Sequence, residues 1–125
     1  MHVGPVIAVT DLDRAREFYE GKLGLAGAST PGGWTVTADA GTVLYLLPDV
    51  ATAGSADWPV ASFRVDDVRA MVRTLRGRGV PFLGRDDLPF SLDGDGISVT
   101  DEMQVAWMRD PDGSVLTVYS LKADL

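Results

Sequence analysis

The side chains of this protein that could do chemistry are few. There is one histidine, His2, and no cysteine, so disulfides, thiolate metal sites and cysteine nucleophiles are excluded. Ser62 and Thr117 carry hydroxyls, but no histidine stands near enough in the pattern to build a triad with either. Neither a nucleophile elbow nor a Gly-rich phosphate loop occurs. Arg64 offers a guanidinium able to stabilise an anion, and Tyr45 or His2 could move a proton. Acids gather twice: Asp86, Asp87, Asp93 and Asp95 surround Pro89-Phe90, and Asp110 and Asp112 flank Pro111. The second group invites a calcium reading, but its acids most simply build a turn with Gly113 at positive φ.

The elements that must position these residues follow from apolar spacing. Residues 3–9 are apolar and β-branched and read as a strand ended by Thr10-Asp11, with Asp11 a helix N-cap. Leu12, Ala15, Phe18 and Tyr19 follow at helical spacing, and Gly21 and Gly24 close that helix. Three strands are expected over residues 25–29, 34–39 and 42–47, with turns at Gly32-Gly33 and Ala40-Gly41. A linker rich in Ala, Gly, Ser and Asp comes next, and then the pattern restarts. Residues 60–65 read as a strand, Asp66-Asp67 as a cap, and Val68, Met71, Val72 and Leu75 as a helical face ended by Gly77 and Gly79. Further strands are expected at 80–83, within 97–109, and at 114–121.

This is an internal repeat. Val6-Ile7-Ala8-Val9-Thr10-Asp11-Leu12 is answered by Ser62-Phe63-Arg64-Val65-Asp66-Asp67-Val68, and Ala40-Gly41-Thr42-Val43-Leu44-Tyr45 by Asp112-Gly113-Ser114-Val115-Leu116-Thr117. Each half is βαβββ, and a lone half leaves a sheet face uncovered, so two halves should share a core. The expected organisation is one domain over 1–125, with module one at 1–48, a linker at 49–57 and module two at 58–125. Residues 84–96 are an insertion peculiar to the second half and read as a mobile loop.

The bulk numbers narrow the function class. A chain of 125 residues with 46% hydrophobic and 23% charged residues suits a soluble domain with a real core. Eleven basic against eighteen acidic residues give a net charge of −7, which argues against nucleic acid as a partner and suits neutral or cationic ligands. No stretch approaches the ~20 apolar residues of a membrane span, and the start lacks the layout of a signal peptide. A cytoplasmic location is expected.

Three groups of residues carry a resemblance. Val9-Thr10-Asp11-Leu12-Asp13-Arg14-Ala15-Arg16-Glu17-Phe18-Tyr19 followed by Leu23-Gly24-Leu25, the opening Phe63-Arg64-Val65-Asp66-Asp67-Val68, and the hairpin Asp110-Pro111-Asp112-Gly113-Ser114 together resemble the vicinal oxygen chelate superfamily, the glyoxalase, bleomycin-resistance and extradiol-dioxygenase group. The resemblance spans essentially the whole chain. It implies an α+β fold of two βαβββ modules forming a curved, cup-shaped mixed sheet with helices on its outer face. It also implies a homodimer. That scaffold hosts isomerases, dioxygenases, transferases and drug binders, so fold does not fix function.

In metal-using members the first and fourth strands of each module supply His, Glu or Gln ligands. The resemblance puts Gly4, Tyr45, Val60 and Thr117 at those positions. Gly and Val have no donor, a neutral Thr hydroxyl is weak, and one Tyr cannot hold the ion, so no metal and no cofactor is expected. His2 shares a strand face with Gly4. A one-histidine site completed by loop carboxylates, and an idle histidine near the terminus, both remain open. Gly4 is expected to open space in the cup.

Strand alternation then assigns faces. Val6, Ala8, Val43, Tyr45, Leu47, Ser62, Arg64, Val115, Thr117 and Tyr119 should face the cup. Ile7, Val9, Leu44, Leu46, Phe63, Val65, Leu116 and Val118 should face the helices. Expected ligand contacts are Tyr45, Ser62, Arg64, Thr117 and Tyr119, with at least one of Trp34 and Trp107, since aromatics in such cups stack on planar ligands. The resulting expectation is a metal-independent binder of an antibiotic-like or aromatic small molecule. The alternative is a glyoxalase- or dioxygenase-like enzyme (lyase, isomerase or dioxygenase) with non-standard metal ligands, recruiting His2, Arg64 and Tyr45.

Overall fold

Two aspartates start the two helices. Asp11 and Asp67 both hold extended backbone, with φ −131° and −138°, and their carboxylates accept the backbone N–H of Arg14 at 3.3 Å and of Ala70 at 3.1 Å. Each satisfies an N–H that the first helical turn leaves unpaired. This arrangement is seen in the computed structural model, which describes residue 1, residues 3–39 and residues 41–122. His2, and with it the one-histidine site, lies outside the described residues, as does Ala40 of the expected second turn.

The chain divides into two compact units, Met1–Ala56 with Asp110–Ser114, and Asp57–Arg109 with the chain from Val115 onward. In the first unit, strand β1 (Val6–Ala8) leads into helix α1 (Leu12–Arg16), followed by β2 (Ala26–Thr30), β3 (Gly33–Thr37) and β4 (Val43–Leu47). These strands lie in the order β1-β4-β3-β2, with β1 parallel to β4 and the other pairs antiparallel. In the second unit, β5 (Ala61–Arg64) leads into α2 (Val68–Gly77), then β6 (Ser98–Val99), β7 (Met103–Arg109) and β8 (Val115–Leu121). Their order is β5-β8-β7-β6, again with the first strand parallel to the last. The repeat read from sequence is therefore a repeat of topology, and the fold is α+β with two four-stranded mixed sheets. No helix of the described residues is long and apolar enough to cross a membrane.

Alternation sets the burial. Along β4, Leu44 and Leu46 are buried while Tyr45 and Leu47 are exposed, as period-two geometry requires of a sheet with one face packed. Ile7, Val9, Ala15, Phe18, Tyr19, Val36, Leu44 and Leu46 are the buried apolar residues of the first unit. Val68, Val72, Leu75, Val80, Ile97, Ala106, Met108, Leu116 and Val118 are among those of the second. Ser120 is also buried there, and ties β8 to the start of α2 by donating to the Val65 carbonyl at 2.9 Å and accepting from the Val68 N–H at 2.8 Å.

Three elements differ from the sequence expectation. The first helix closes at Gly21 and Gly24 as expected, but it is not a regular α-helix to its end. After Arg16 it widens into a π-helical segment, Glu17–Lys22, in which the Leu23 N–H reaches the Phe18 carbonyl at 3.0 Å, and Gly24 then leaves it at φ 77°. Within it the successive residues Phe18 and Tyr19 are both buried, their rings edge-to-face at 5.0 Å. The first strand starts at Val6 instead of residue 3, because Pro5 has no N–H to give to a ladder. Finally, the strand expected at 80–83 is reduced to one bridge, Phe82 with Met108, flanked by Leu83 N–H to Trp107 O at 2.9 Å and Arg109 N–H to Pro81 O at 3.2 Å.

The Asp110–Ser114 turn completes the first unit. Gly113 has φ 91° and its N–H bonds the Asp110 carbonyl at 3.0 Å, so the acids here build the turn. The Asp110 carboxylate accepts the backbone N–H of Asp112 at 3.0 Å and of Ser114 at 2.9 Å, and the Tyr19 hydroxyl at 2.8 Å. Burial holds the Asp110 carboxyl above the usual carboxylate range despite these donors, and burial beside Asp110 pushes the Tyr19 phenol up. Asp112 accepts the Thr10 hydroxyl at 2.6 Å and an Arg14 guanidinium N–H at 2.9 Å. Gly54 packs so close that a Cβ there would lie 1.9 Å from the Asp112 carbonyl oxygen, and at φ 80° only glycine suits it.

Candidate functional site

In the first unit the strand face opposite the buried core is built in rows. Val6, Tyr45 and Thr35 stand opposite one another across β1, β4 and β3, and Ala28 of β2 continues the row. Val6 is 61%, Tyr45 40% and Leu47 46% exposed, so this face is open and apolar around the Tyr45 phenol, while Thr35 beside it is buried and donates its hydroxyl to the Ala28 carbonyl at 3.3 Å. Gly4 does not open space as expected. A Cβ at Gly4 would lie 2.5 Å from the Val43 carbonyl oxygen and 3.0 Å from Cε2 of the Tyr45 ring, so that ring fills the position a side chain would need.

Trp34 stands on the other face of β3. It is opposite Leu46, which is buried, and not opposite Tyr45. Its indole N–H donates to Glu20 Oε2 at 3.1 Å, and the Arg16 guanidinium lies 3.8 Å above the ring while also donating to Glu20 at 2.8 Å. Trp34 is thus clamped by the helical segment, and it is not brought to the Tyr45 face.

In the second unit Ser62, Thr117 and Trp107 form one row across β5, β8 and β7, and Arg64, Tyr119 and Val105 form the next. Ala106 and Met108, which alternate with these on β7, are buried. The Ser62 and Thr117 hydroxyls bond each other at 2.6 Å, and Thr117 is only 6% exposed. Five residues expected from sequence, Ser62, Arg64, Trp107, Thr117 and Tyr119, are therefore gathered here. The N–H of Val60 bonds the Val115 carbonyl at 2.9 Å, continuing the ladder beyond β5.

A further residue of this face escaped the sequence reading. Phe90, in the insertion, stacks on Trp107 with ring centroids 5.4 Å apart and planes at 15°. The available signal was a lone aromatic within a stretch otherwise dominated by Asp, Arg, Gly and Ser, a residue type that such a loop has no reason to carry unless it packs on something.

The insertion is anchored at both ends. Leu83 and Leu92 are buried. Arg69 on α2 pairs with both Asp93 and Asp95, and Asp93 Oδ1 also accepts the N–H of Asp95 and of Ile97. The Arg69 guanidinium and these N–H groups hold the Asp93 carboxyl below the usual carboxylate range. The four acids of the insertion do not form a cation site: among the described residues no three His, Asp or Glu side chains converge as a metal would need.

The Glyoxalase/Bleomycin resistance protein/Dioxygenase superfamily model matches residues 2–118. Solved structures of similar fold include a glyoxalase/bleomycin resistance protein/dioxygenase from Alicyclobacillus acidocaldarius, at 22% identity and TM-score 0.71, covering 98% of this chain and 92% of that one. A member of the same superfamily from Sphaerobacter thermophilus DSM 20745 aligns at 24% identity and TM-score 0.69, covering 96% and 97%. TnmS3, an antibiotic binding protein from Streptomyces sp. CB03234, aligns at 24% identity and TM-score 0.68, covering 98% of both chains. No curated protein matches.

Proposed function

The chain belongs to the Glyoxalase/Bleomycin resistance protein/Dioxygenase superfamily, and from that premise we propose that it is a metal-independent binding protein for an antibiotic-like or aromatic small molecule. The observation that carries this reading is the chemistry at the positions the family uses for metal. Gly4 has no side chain and no room for one. Val60 has no donor atom. The Thr117 hydroxyl is already bonded to Ser62, and Tyr45 lays its ring against Gly4. These residues do not fit a divalent ion. Sequestration needs affinity without chemistry, so it tolerates that set. The face bearing Ser62, Arg64, Trp107, Thr117 and Tyr119 offers the mixture of apolar walls and few polar groups that small-molecule sites use, and the Tyr45 face of the other unit separately offers an aromatic contact. TnmS3, which binds an antibiotic, has the same fold, and a net charge of −7 suits a cationic ligand. The same reading takes the protein as a cytoplasmic homodimer.

A thermal-shift screen with cationic and planar aromatic antibiotics, followed by calorimetry on the hits, tests it. At least one compound should raise the melting temperature in a concentration-dependent way. A uniformly flat screen sinks the proposal. Metal analysis of protein purified without chelator addresses the enzyme alternative: about one equivalent of Fe, Mn, Ni or Zn, lost in His2→Ala, would establish that alternative instead. Light scattering after gel filtration should return twice the chain mass.

A further inference from the structure

The second unit carries an aromatic residue that its framework does not need. In the first unit the edge strand β2 pairs with β3 without interruption from Ala26 to Thr30. In the second, the outer edge of β7 is shared by two short pieces, Pro81–Leu83 beside Trp107–Arg109 and β6 beside Gln104–Val105. The insertion leaves from between them. Its ends are fixed by Leu83, Leu92 and the Arg69 pairs with Asp93 and Asp95. Between those anchors the only large apolar ring is Phe90. It is 52% exposed, yet it lies nearly parallel to Trp107 at 5.4 Å. A half-exposed ring gains little from burial, so the stack holds it weakly, and rotation about its own side-chain bonds is enough to lift it off.

Trp107 is in register with Thr117, and Thr117 with Ser62. Next to the indole, then, stand two hydroxyls bonded to each other. The mutual bond uses one of their two hydrogens, which leaves one hydrogen and spare lone pairs for a group at the edge of a flat ligand. An aromatic platform with a hydroxyl pair beside it is a recognition site for a planar aromatic molecule bearing a polar edge substituent.

We infer that Phe90 is a resident occupant of that platform: a planar aromatic ligand binds by taking the place of the Phe90 ring on Trp107, with its polar edge toward Ser62 and Thr117. This rests on the small-molecule reading above and adds to it both the ligand class and the residue that competes with the ligand. Because Phe90 competes, its removal strengthens binding. A residue that merely formed one wall of a slot would weaken binding when removed.

The experiment titrates proflavine, a planar aromatic cation with amino groups at its edge, into the full-length protein and into Phe90→Ala and Phe90→Leu. Binding is followed by dye fluorescence and, with 5-fluorotryptophan incorporated, by 19F NMR. Phe90 sits in an exposed loop, so both variants should fold, and circular dichroism checks this. Phe90→Ala should bind proflavine about 2- to 10-fold more tightly, the factor corresponding to the loss of one competing aromatic pair. Phe90→Leu, which keeps bulk without the stack, should fall between. The Trp107 resonance, identified by its disappearance in Trp107→Phe, should move in ligand-free Phe90→Ala and move again on saturation. Equal or weaker binding by Phe90→Ala, no binding by either protein, or a Trp107 resonance unmoved at saturation would each overturn the inference. A compound from the antibiotic screen that binds with the same affinity to both proteins would overturn it while leaving the small-molecule function standing. A flat screen together with no proflavine binding removes both.

Discussion

The two modules share a framework and differ in everything laid upon it. Both open with a first strand parallel to the last and cap the following helix with an aspartate, but the last strand buries alternate residues only in the first unit; in the second, Val115, Leu116, Thr117 and Val118 are all buried. Yet the first unit leaves an open apolar face around Tyr45, whereas the second has a hydroxyl pair beside a stacked indole. The first keeps its edge strand whole and the second spends it on an insertion. Where a residue of the repeat holds the core, both halves carry an apolar side chain. Where it points away from the core, packing imposes no such constraint, and the halves differ.

Core truncation should break that comparison hardest. Leu44→Ala in the first module and Leu116→Ala in the second remove equivalent buried side chains, and each should cost about 2–5 kcal/mol in denaturant unfolding. If one is silent, the two cores are not equivalent. Asp110→Ala comes next. It strands the Tyr19 hydroxyl and two turn N–H groups, and should cost about 2–4 kcal/mol, a figure set by leaving buried donors unpaired.

The acids of the two units should also pull in opposite directions with pH. Asp110 is raised above its ordinary 3.8, so over the window above 3.8 the folded state holds more protons than the unfolded. Its contribution to stability therefore falls as pH rises through that window. Asp93 is lowered below 3.8, so its contribution is present above 3.8 and is lost as pH falls through the lowered value. Urea midpoints measured across the acid range should lose the first slope in Asp110→Asn and the second in Asp93→Asn. Tyr19, raised above its ordinary 10.0, should add a decline above pH 10 that is absent in Tyr19→Phe.

The caps sharpen the comparison at a smaller scale. Asp11→Ala and Asp67→Ala should each cost about 1 kcal/mol in unfolding free energy, and a marked inequality would show that one helix depends on its cap more than the other. Arg69→Ala should be smallest, at about 0.2–1 kcal/mol, because its partners are partly exposed and screened by salt. Its effect should appear instead as faster proteolytic cleavage within residues 84–96.

Much of the framework was legible because it depends on local rules. The two caps, the alternation along β4 and the positive φ of Gly113 each follow from a few neighbouring residues. The differences lie where spacing alone does not decide. Leu12, Ala15, Phe18 and Tyr19 fit the apolar face of a regular α-helix, so the spacing carries no sign of the wider segment Glu17–Lys22. Residues 80–83 read as a strand from their apolar run, but in the fold they make one bridge, Phe82 with Met108, just before the insertion. At the candidate site, the faces of Tyr45, Ser62 and Thr117 could be assigned by parity along strands whose repeat fixed their register. Trp34 could not, because its face depends on where the Gly32-Gly33 turn places the start of β3. That start at Gly33 puts the indole opposite Leu46. Phe90 was hidden for a different reason: a loop carries no periodicity from which a contact with Trp107 can be read.

The turn at Asp110–Ser114 belongs with the first unit although it is encoded near the end of the chain. During synthesis, the N-terminal module therefore leaves the ribosome with the Tyr19 hydroxyl lacking its acceptor and with Gly54 facing nothing. Neither is supplied until residue 114 has cleared the exit tunnel. The first half of the protein cannot finish folding before almost all of the second has been made, so the order of translation and the order of completion run against each other.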